Sequence, residues 1–286
     1  MSVGYHCPEK RFTAAEDKLQ SLTLPFMSPT SLKEPASLRF VGIIPARFAS
    51  TRFPGKPLVD IGGKTMIQRV YEQVSKALEN VYVATDDTRI FEAVVGFGGK
   101  AIMTSDKHKS GTDRCFEAFT KLDEWFDVVV NIQGDEPFIQ PEQIIELHNC
   151  FADTNTQIAT LAKKVTAKDS IEFITNPNNP KLVINKLNEA MYFSRSVIPY
   201  RRGAELGEWI SLHPYLKHVG IYAYRADVLR ELTLLEQSPL EIAESLEQLR
   251  WLENGYRIKV GFTDVETVGI DTPEDLEKVK DLLKDS

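Results

Sequence analysis

From Phe40 onward, short apolar runs alternate with stretches of helical periodicity, and this alternation narrows the fold more than any other feature of the chain. Strand-like segments fall at residues 40–44, 80–85, 100–103 and 127–132, the last (DVVVNI) strongly β-branched. Between the first two, residues 66–78 carry Met66, Ile67, Val70, Val74 and Ala77 at helical spacing. Residues 88–95 (closed by Gly96), 114–122 and 141–152 read as further helices, the last opening on a proline whose missing N–H costs little there. Such alternation predicts an α/β domain: a mostly parallel sheet with helices on both faces.

The second half is less regular. Residues 182–187, 191–194 and 218–224 read as strands close enough to form a small antiparallel insertion, about 182–225. Residues 233–237 and 240–254 read as helical, 257–262 as a late strand, and Asp271-Thr272-Pro273-Glu274-Asp275 as the capped start of a final helix. Residues 1–39 mix proline, serine, threonine and charge with weak periodicity. They read as a poorly ordered extension, with Met27 as an internal candidate start, before a domain at 40–286. No basic segment followed by an apolar core is present, which argues against a secretory signal, and Glu9, Glu16, Asp17 and Glu34 argue against a transit peptide.

The formal net charge of -7 over 286 residues argues against a broad nucleic-acid surface. No apolar run approaches the roughly 18 residues that a membrane span needs. The 3 cysteines, Cys7, Cys115 and Cys150, lack metal-ligand spacing and read as reduced thiols of a cytoplasmic protein.

Against that acidic background the loop after the first strand is an exception. GIIPARFASTRFPGKPL, residues 42–58, carries Arg47, Arg52 and Lys56, with Ser50, Thr51 and Gly55 among them. A loop at the carboxyl end of a first strand is where open α/β sheets bind ligands. Its cations suit a small anion, most simply a polyphosphate; the bland alternative is a solvated basic loop. Two nucleotide-like motifs fail on context. Gly62-Gly63-Lys64-Thr65 lacks the first glycine of a P-loop, where Leu58 stands, and residues 96–101 precede a strand rather than a helix.

Gln133-Gly134-Asp135-Glu136-Pro137 follows the DVVVNI strand at the same sheet edge. Its carboxylates suit magnesium, which takes one or two of them with phosphate oxygens and water; the alternative is a capped turn. Asp271 is either a second metal carboxylate or a helix N-cap, and Asp86-Asp87 reads as a cap. In residues 104–114, Ser110, Gly111 and Thr112 suit a binding loop with Arg114 facing a nucleotide, or else a plain polar connection. His218 opens an apolar strand beside Tyr222 and is either a site residue or a satisfied structural histidine. Zinc-protease and α/β-hydrolase motifs are absent.

These segments occur in an order that resembles a known family. IPARFASTRFPGKPL, VATDD, SGTDR, NIQGDEPFI, YFSRSVIPY, KHVGIYAYR, SPLEIAESLEQLRWLENG and GIDTPEDL are similar to the 3-deoxy-D-manno-octulosonate (KDO) cytidylyltransferases, the CMP-KDO synthetases, from about Phe40 to about Lys280. The extension before Phe40 departs from the family, as does Pro180 before Lys181, where the family usually has valine. The resemblance implies a Rossmann-like nucleotidyltransferase fold whose antiparallel insertion serves dimerisation. It also implies transfer of CMP from CTP to the anomeric hydroxyl of KDO, with loss of pyrophosphate, for lipopolysaccharide biosynthesis by a cytoplasmic homodimer. Arg47, Ser50, Arg52 and Lys56 match the loop that holds the CTP phosphates, and Ser110, Gly111, Thr112 and Arg114 a nucleotide-binding loop. Asp135 and Asp271 match magnesium ligands. Gln133, Arg195, His218, Tyr222, Glu247 and Gln248 match positions lining the sugar-acid pocket. Lys56, Asp135, Asp271 and Arg47 are the expected catalytic set. Two other readings stand beside this one: a cytidylyltransferase for sialic acid or amino-KDO, and a noncatalytic nucleotide-sensing module.

Overall fold

The apolar run ahead of the basic loop forms strand β1, Phe40–Ala46, with Val41, Ile43 and Ile44 fully buried. The structure is a computed structural model and describes residues 38–49, 53–166, 168–265, 269–270 and 272–277. The remaining strands are β2 (Val81–Thr85), β3 (Ala101–Met103), β4 (Val128–Asn131), β5 (Ile158–Lys164), β6 (Lys181–Ile184), β7 (Ala190–Ser194), β8 (Leu216–Arg225) and β9 (Ile258–Phe262). The helices are α1 (Met66–Val74), α2 (Thr88–Gly96), α3 (Gly111–Thr120), α4 (Pro141–Cys150), α5 (Ile171–Thr175), α6 (Trp209–Leu212), α7 (Ala226–Leu232), α8 (Pro239–Glu244) and α9 (Gln248–Glu253).

The main sheet has the order β3-β2-β1-β4-β8-β5-β9. Every strand on that path runs in one direction except β8, which is antiparallel to both β4 and β5. Alternation along each strand sends side chains to two cores. Val41, Ile43 and Val129 meet Cys115 and Phe119 of α3, Leu229 of α7 and Trp251 of α9 on one face. Ile44, Val128 and Val130 meet Ile67 and Val70 of α1, Ile90 of α2 and Leu147 of α4 on the other. Each fully buried valine or isoleucine contributes about 1.5–3 kcal/mol relative to exposure. The expected mostly parallel sheet with helices on both faces is what forms.

The second half corrects the sequence reading in four places. The antiparallel element at 182–225 is not a separate insertion: β6 pairs with β7 and β8, antiparallel as expected, but β8 is also an interior strand of the main sheet. Its length of 10 residues and near-continuous burial explain this, because it packs both faces. Strand β5 lies between β8 and β9 and was not anticipated from IATLAKK. Residues 233–237 are turn and extended chain; the helix there is α7, which ends at Leu232 with Thr233 as its cap. Residues 240–254 do not form one helix. Ser245 adopts the left-handed conformation (φ 51) and separates α8 from α9. Helix α3 begins before residue 114 because the Ser110 hydroxyl caps it, accepting from the Asp113 N–H. The extension at 1–37 lies outside the described residues.

Candidate active site

The carboxyl ends of β1 and β4 open beside the first turn of α3, and a cavity of about 230 Å³ lies between them. Gly134 makes that convergence possible: a Cβ there would stand 2.9 Å from the Pro45 carbonyl oxygen. Gly55 closes the basic loop, with φ 72 and an N–H donated to the Phe48 carbonyl at 3.0 Å. Lys56, the next residue, is buried, and its Nζ donates to Asp135 Oδ2 at 2.7 Å. Arg47 also lines the cavity. It is exposed and forms no hydrogen bond or ion pair among the described residues. Ser110 and Gly111 bring the positive end of α3 to the same wall.

Two lining residues do not point from the sequence to this site. His108 and Lys109 belong to the polar connection before α3, and both face the cavity. His108 Nε2 contacts Glu117 Oε2, which also accepts the Ser105 N–H, while Glu117 Oε1 accepts from Lys121 Nζ. Burial pushes the Glu117 carboxyl up, but Lys121, Ser105 and His108 outweigh it and hold its pKa at about 2. Glu117 thus fastens the connection to α3. Arg114 lines the cavity as well, but its terminal nitrogens are engaged. Nη1 donates to Thr104 Oγ1 at 2.6 Å and Nη2 to Asp86 Oδ2 at 2.7 Å, tying the loops after β2 and β3 to α3.

A second cavity, about 420 Å³, adjoins the first, and Gln133 and Asp135 line both. His218, Gly220 and Tyr222 alternate along β8 and present one face to it. The Thr160 hydroxyl lies 2.8 Å from the Ile221 carbonyl and 3.0 Å from His218 Nε2. Since a carbonyl only accepts, the hydroxyl proton goes to Ile221. Nε2 therefore carries the imidazole proton, and Nδ1 remains an acceptor. Burial first, and Lys217 second, lower the His218 pKa to about 3, so the ring is neutral at physiological pH. Tyr222 Oη and Gln248 Nε2 are buried with no hydrogen-bond partner among the described residues. Leaving each unsatisfied costs about 1–3 kcal/mol, which a polar ligand can recover.

The other residues singled out in the sequence are placed differently. Arg195 lines the second cavity, but its guanidinium donates to the carbonyls of Glu244 (2.6 Å), Pro177 (2.9 Å) and Ser245 (3.2 Å). Thr112 is buried, and its hydroxyl donates to Glu247 Oε2 at 2.8 Å; Glu247 Oε1 accepts from Arg250. Neither Thr112 nor Glu247 lines either cavity; they link α3 to the start of α9. Burial raises the Glu247 pKa against the opposing bonds from Thr112 and Arg250. Ser50, Arg52 and Asp271 lie outside the described residues. The Ile270 N–H donates to the Asp135 carbonyl at 3.0 Å, and Gly269 lines the second cavity. Asp135 supplies a carboxylate at the junction of the cavities. With phosphate oxygens it makes a donor set that suits magnesium, although no cluster of three acidic, histidine or cysteine groups occurs among the described residues.

A largely parallel sheet with a cationic first loop and a carboxylate after a neighbouring strand defines the nucleotidyltransferase class. A 4-diphosphocytidyl-2C-methyl-D-erythritol synthase from Anaerococcus prevotii shares the fold: TM-score 0.55, 16% identity, covering 86% of this chain and 99% of that one. The chain belongs to the cytidylyltransferase family, which it matches over residues 41–258. It is 66% identical to the 3-deoxy-manno-octulosonate cytidylyltransferase of Parabacteroides distasonis, over 84% of this chain and 96% of that protein. A solved structure of CMP:2-keto-3-deoxy-manno-octonic acid synthetase in complex with CTP is 45% identical. It superposes with a TM-score of 0.79, covering 86% of this chain and 99% of that one.

Proposed function

We propose that the protein transfers CMP from CTP to the anomeric hydroxyl of KDO, giving CMP-KDO and pyrophosphate. The observation that carries this reading is the pair of adjoining cavities that share Gln133 and Asp135. One is cationic and suits a triphosphate; the other offers polar groups that have no partner among the described residues and suits a polyhydroxylated acid. The names of the similar proteins supply the substrate identities.

Arg47, Lys56 and Lys109, with Ser50 and Arg52, hold the triphosphate and neutralise charge on the departing pyrophosphate. The first turn of α3, at Ser110 and Gly111, adds N–H donors. In the other cavity Gln133, Tyr222 and Gln248 bond the sugar hydroxyls, neutral His218 accepts at Nδ1, and Arg195 faces the carboxylate. The sugar oxygen forms a bond to the α-phosphorus while the bridge to the β-phosphate breaks and the hydroxyl proton passes to solvent. Asp135, with Asp271, would hold a magnesium ion, whose chemistry when bound is charge neutralisation at the α-phosphate and acidification of the attacking hydroxyl. Positioning and electrostatics dominate, and no side-chain nucleophile is needed.

We place the protein in the cytoplasm as a homodimer supplying lipopolysaccharide biosynthesis. No helix among the described residues is long and apolar enough to cross a membrane. Cys115 and Cys150 are buried thiols, and burial pushes the Cys150 pKa up to about 12. Pyrophosphate release with CTP and KDO, amino-KDO or sialic acid tests the reaction. Release with KDO well above the other acids is expected. Preference for another acid reassigns the substrate, and CTP binding without release on any acid supports a sensing module instead.

A further inference from the structure

Beside the second cavity lies a corner built from two cations. Lys181 on β6 is 1% exposed, yet among the described residues its Nζ donates only to backbone carbonyls, those of Asn176 at 3.1 Å and Arg195 at 2.6 Å. Arg195, whose carbonyl Lys181 holds, binds three more carbonyls, on Pro177, Glu244 and Ser245. The break between α8 and α9 at Ser245 exposes the last two of these. One carboxylate is near: Glu244 Oε1 accepts from the Ser194 hydroxyl at 2.6 Å and Oε2 from the Arg195 N–H at 2.9 Å. It lies within ion-pair distance of neither cation among the described residues. Two further charged groups lie on that side, Lys217, the register partner of Lys181 on β8, and Asp169, on which Lys217 acts and which offsets it; the neighbouring His218 is neutral. The corner therefore carries more positive than negative charge, around a lysine that is itself almost wholly buried.

We infer that Lys181 is a positioning residue for the carboxylate-bearing substrate: it anchors the Arg195 backbone and supplies the second positive charge of a corner that a substrate carboxylate completes. This rests on the sugar-acid reading of the second cavity. A purely structural lysine could be replaced by an uncharged side chain with little change in anion affinity. Here the charge itself attracts the ligand, which has a consequence in pH. Burial, partly offset by Glu244 and reinforced by Arg195, lowers the Lys181 pKa to about 8. The corner then loses half its cationic charge within the range where enzymes are assayed.

The test compares wild type with Lys181→Gln, which keeps donors for the carbonyls, and Lys181→Met, which keeps only bulk. Both are read by steady-state kinetics and by calorimetric titration of KDO. Both variants should raise the KM for KDO about tenfold while the KM for CTP and kcat stay within about twofold. In the wild type, KDO affinity should fall as pH rises through about 8, and in the variants the profile should be flat. An unchanged KDO affinity in Lys181→Gln, or a parallel loss of kcat and both KM values, overturns the inference. Should neither variant fold, a wild-type KDO affinity constant from about pH 7 to about pH 9.5 overturns it as well. The functional reading is judged separately, by wild-type turnover. An inactive wild type whose KDO affinity still depends on Lys181 sinks that reading and keeps the corner, whereas a wild type that binds no sugar acid sinks both.

Discussion

Asp135 stands where the two cavities meet, and Lys56 reaches it from the opposite loop at 2.7 Å. The pair closes the floor of the site before any ligand arrives, which holds the basic loop against β4. Removing the carboxylate charge should abolish most turnover without disturbing the fold. Asp135→Asn is therefore expected to lose activity at saturating magnesium while its far-ultraviolet circular dichroism matches wild type; near-normal turnover contradicts the metal assignment. Lys56→Ala has a different signature. If its charge serves the triphosphate as proposed, the KM for CTP should rise by about tenfold or more, with the KM for KDO much less affected. Equal increases in both KM values would place Lys56 outside the nucleotide half.

Among the elements, α3 and the connection before it form one wall of the first cavity, the side proposed for the nucleotide. Glu117 binds that connection through Ser105 and His108, and its carboxyl sits at about 2 against an ordinary value of 4.5. Its folded-state pKa is depressed, so the stability it contributes is present above about pH 4.5 and lost as pH falls toward about 2. Glu117→Gln should flatten acid unfolding in that window and increase hydrogen exchange over residues 104–110; an unchanged acid profile contradicts it. The same elements show what the sequence could and could not reveal. Strands β1 and β4 were legible because a strand packed on both faces is a continuous apolar run. His218 and Tyr222 were legible because β8 alternates. Strand β5 was not, since its alanines and terminal lysines lack β-branched density. The break at Ser245 was not either, because a non-glycine residue in the left-handed region leaves no signal in composition. That break presents the Glu244 and Ser245 carbonyls that engage Arg195. His108 was hidden in a stretch whose helix start had been placed too late, although Ser110 and Asp113 form an ordinary capping pair. Thr112 and Glu247 lie 135 positions apart, and their bond follows only from the topology.

At the scale of the whole molecule, the chain carries a net charge of -7, yet Arg47, Lys56, Lys109 and Arg114 gather at one cavity. Its β6–β7 hairpin exposes Leu187 and Met191, each 63%. The proposed homodimer would cover these two side chains. Sedimentation should show a dimer, and Leu187→Lys with Met191→Lys should shift it to monomer; a monomeric wild type contradicts the assembly. The central claim is a reaction, and phosphorus NMR of the wild-type protein with CTP, KDO and magnesium tests it most directly. The three CTP resonances should give way to pyrophosphate and one new phosphodiester, in equal amounts and only when KDO is present. CTP that stays intact beside KDO, or is cleaved equally well without it, would contradict the account.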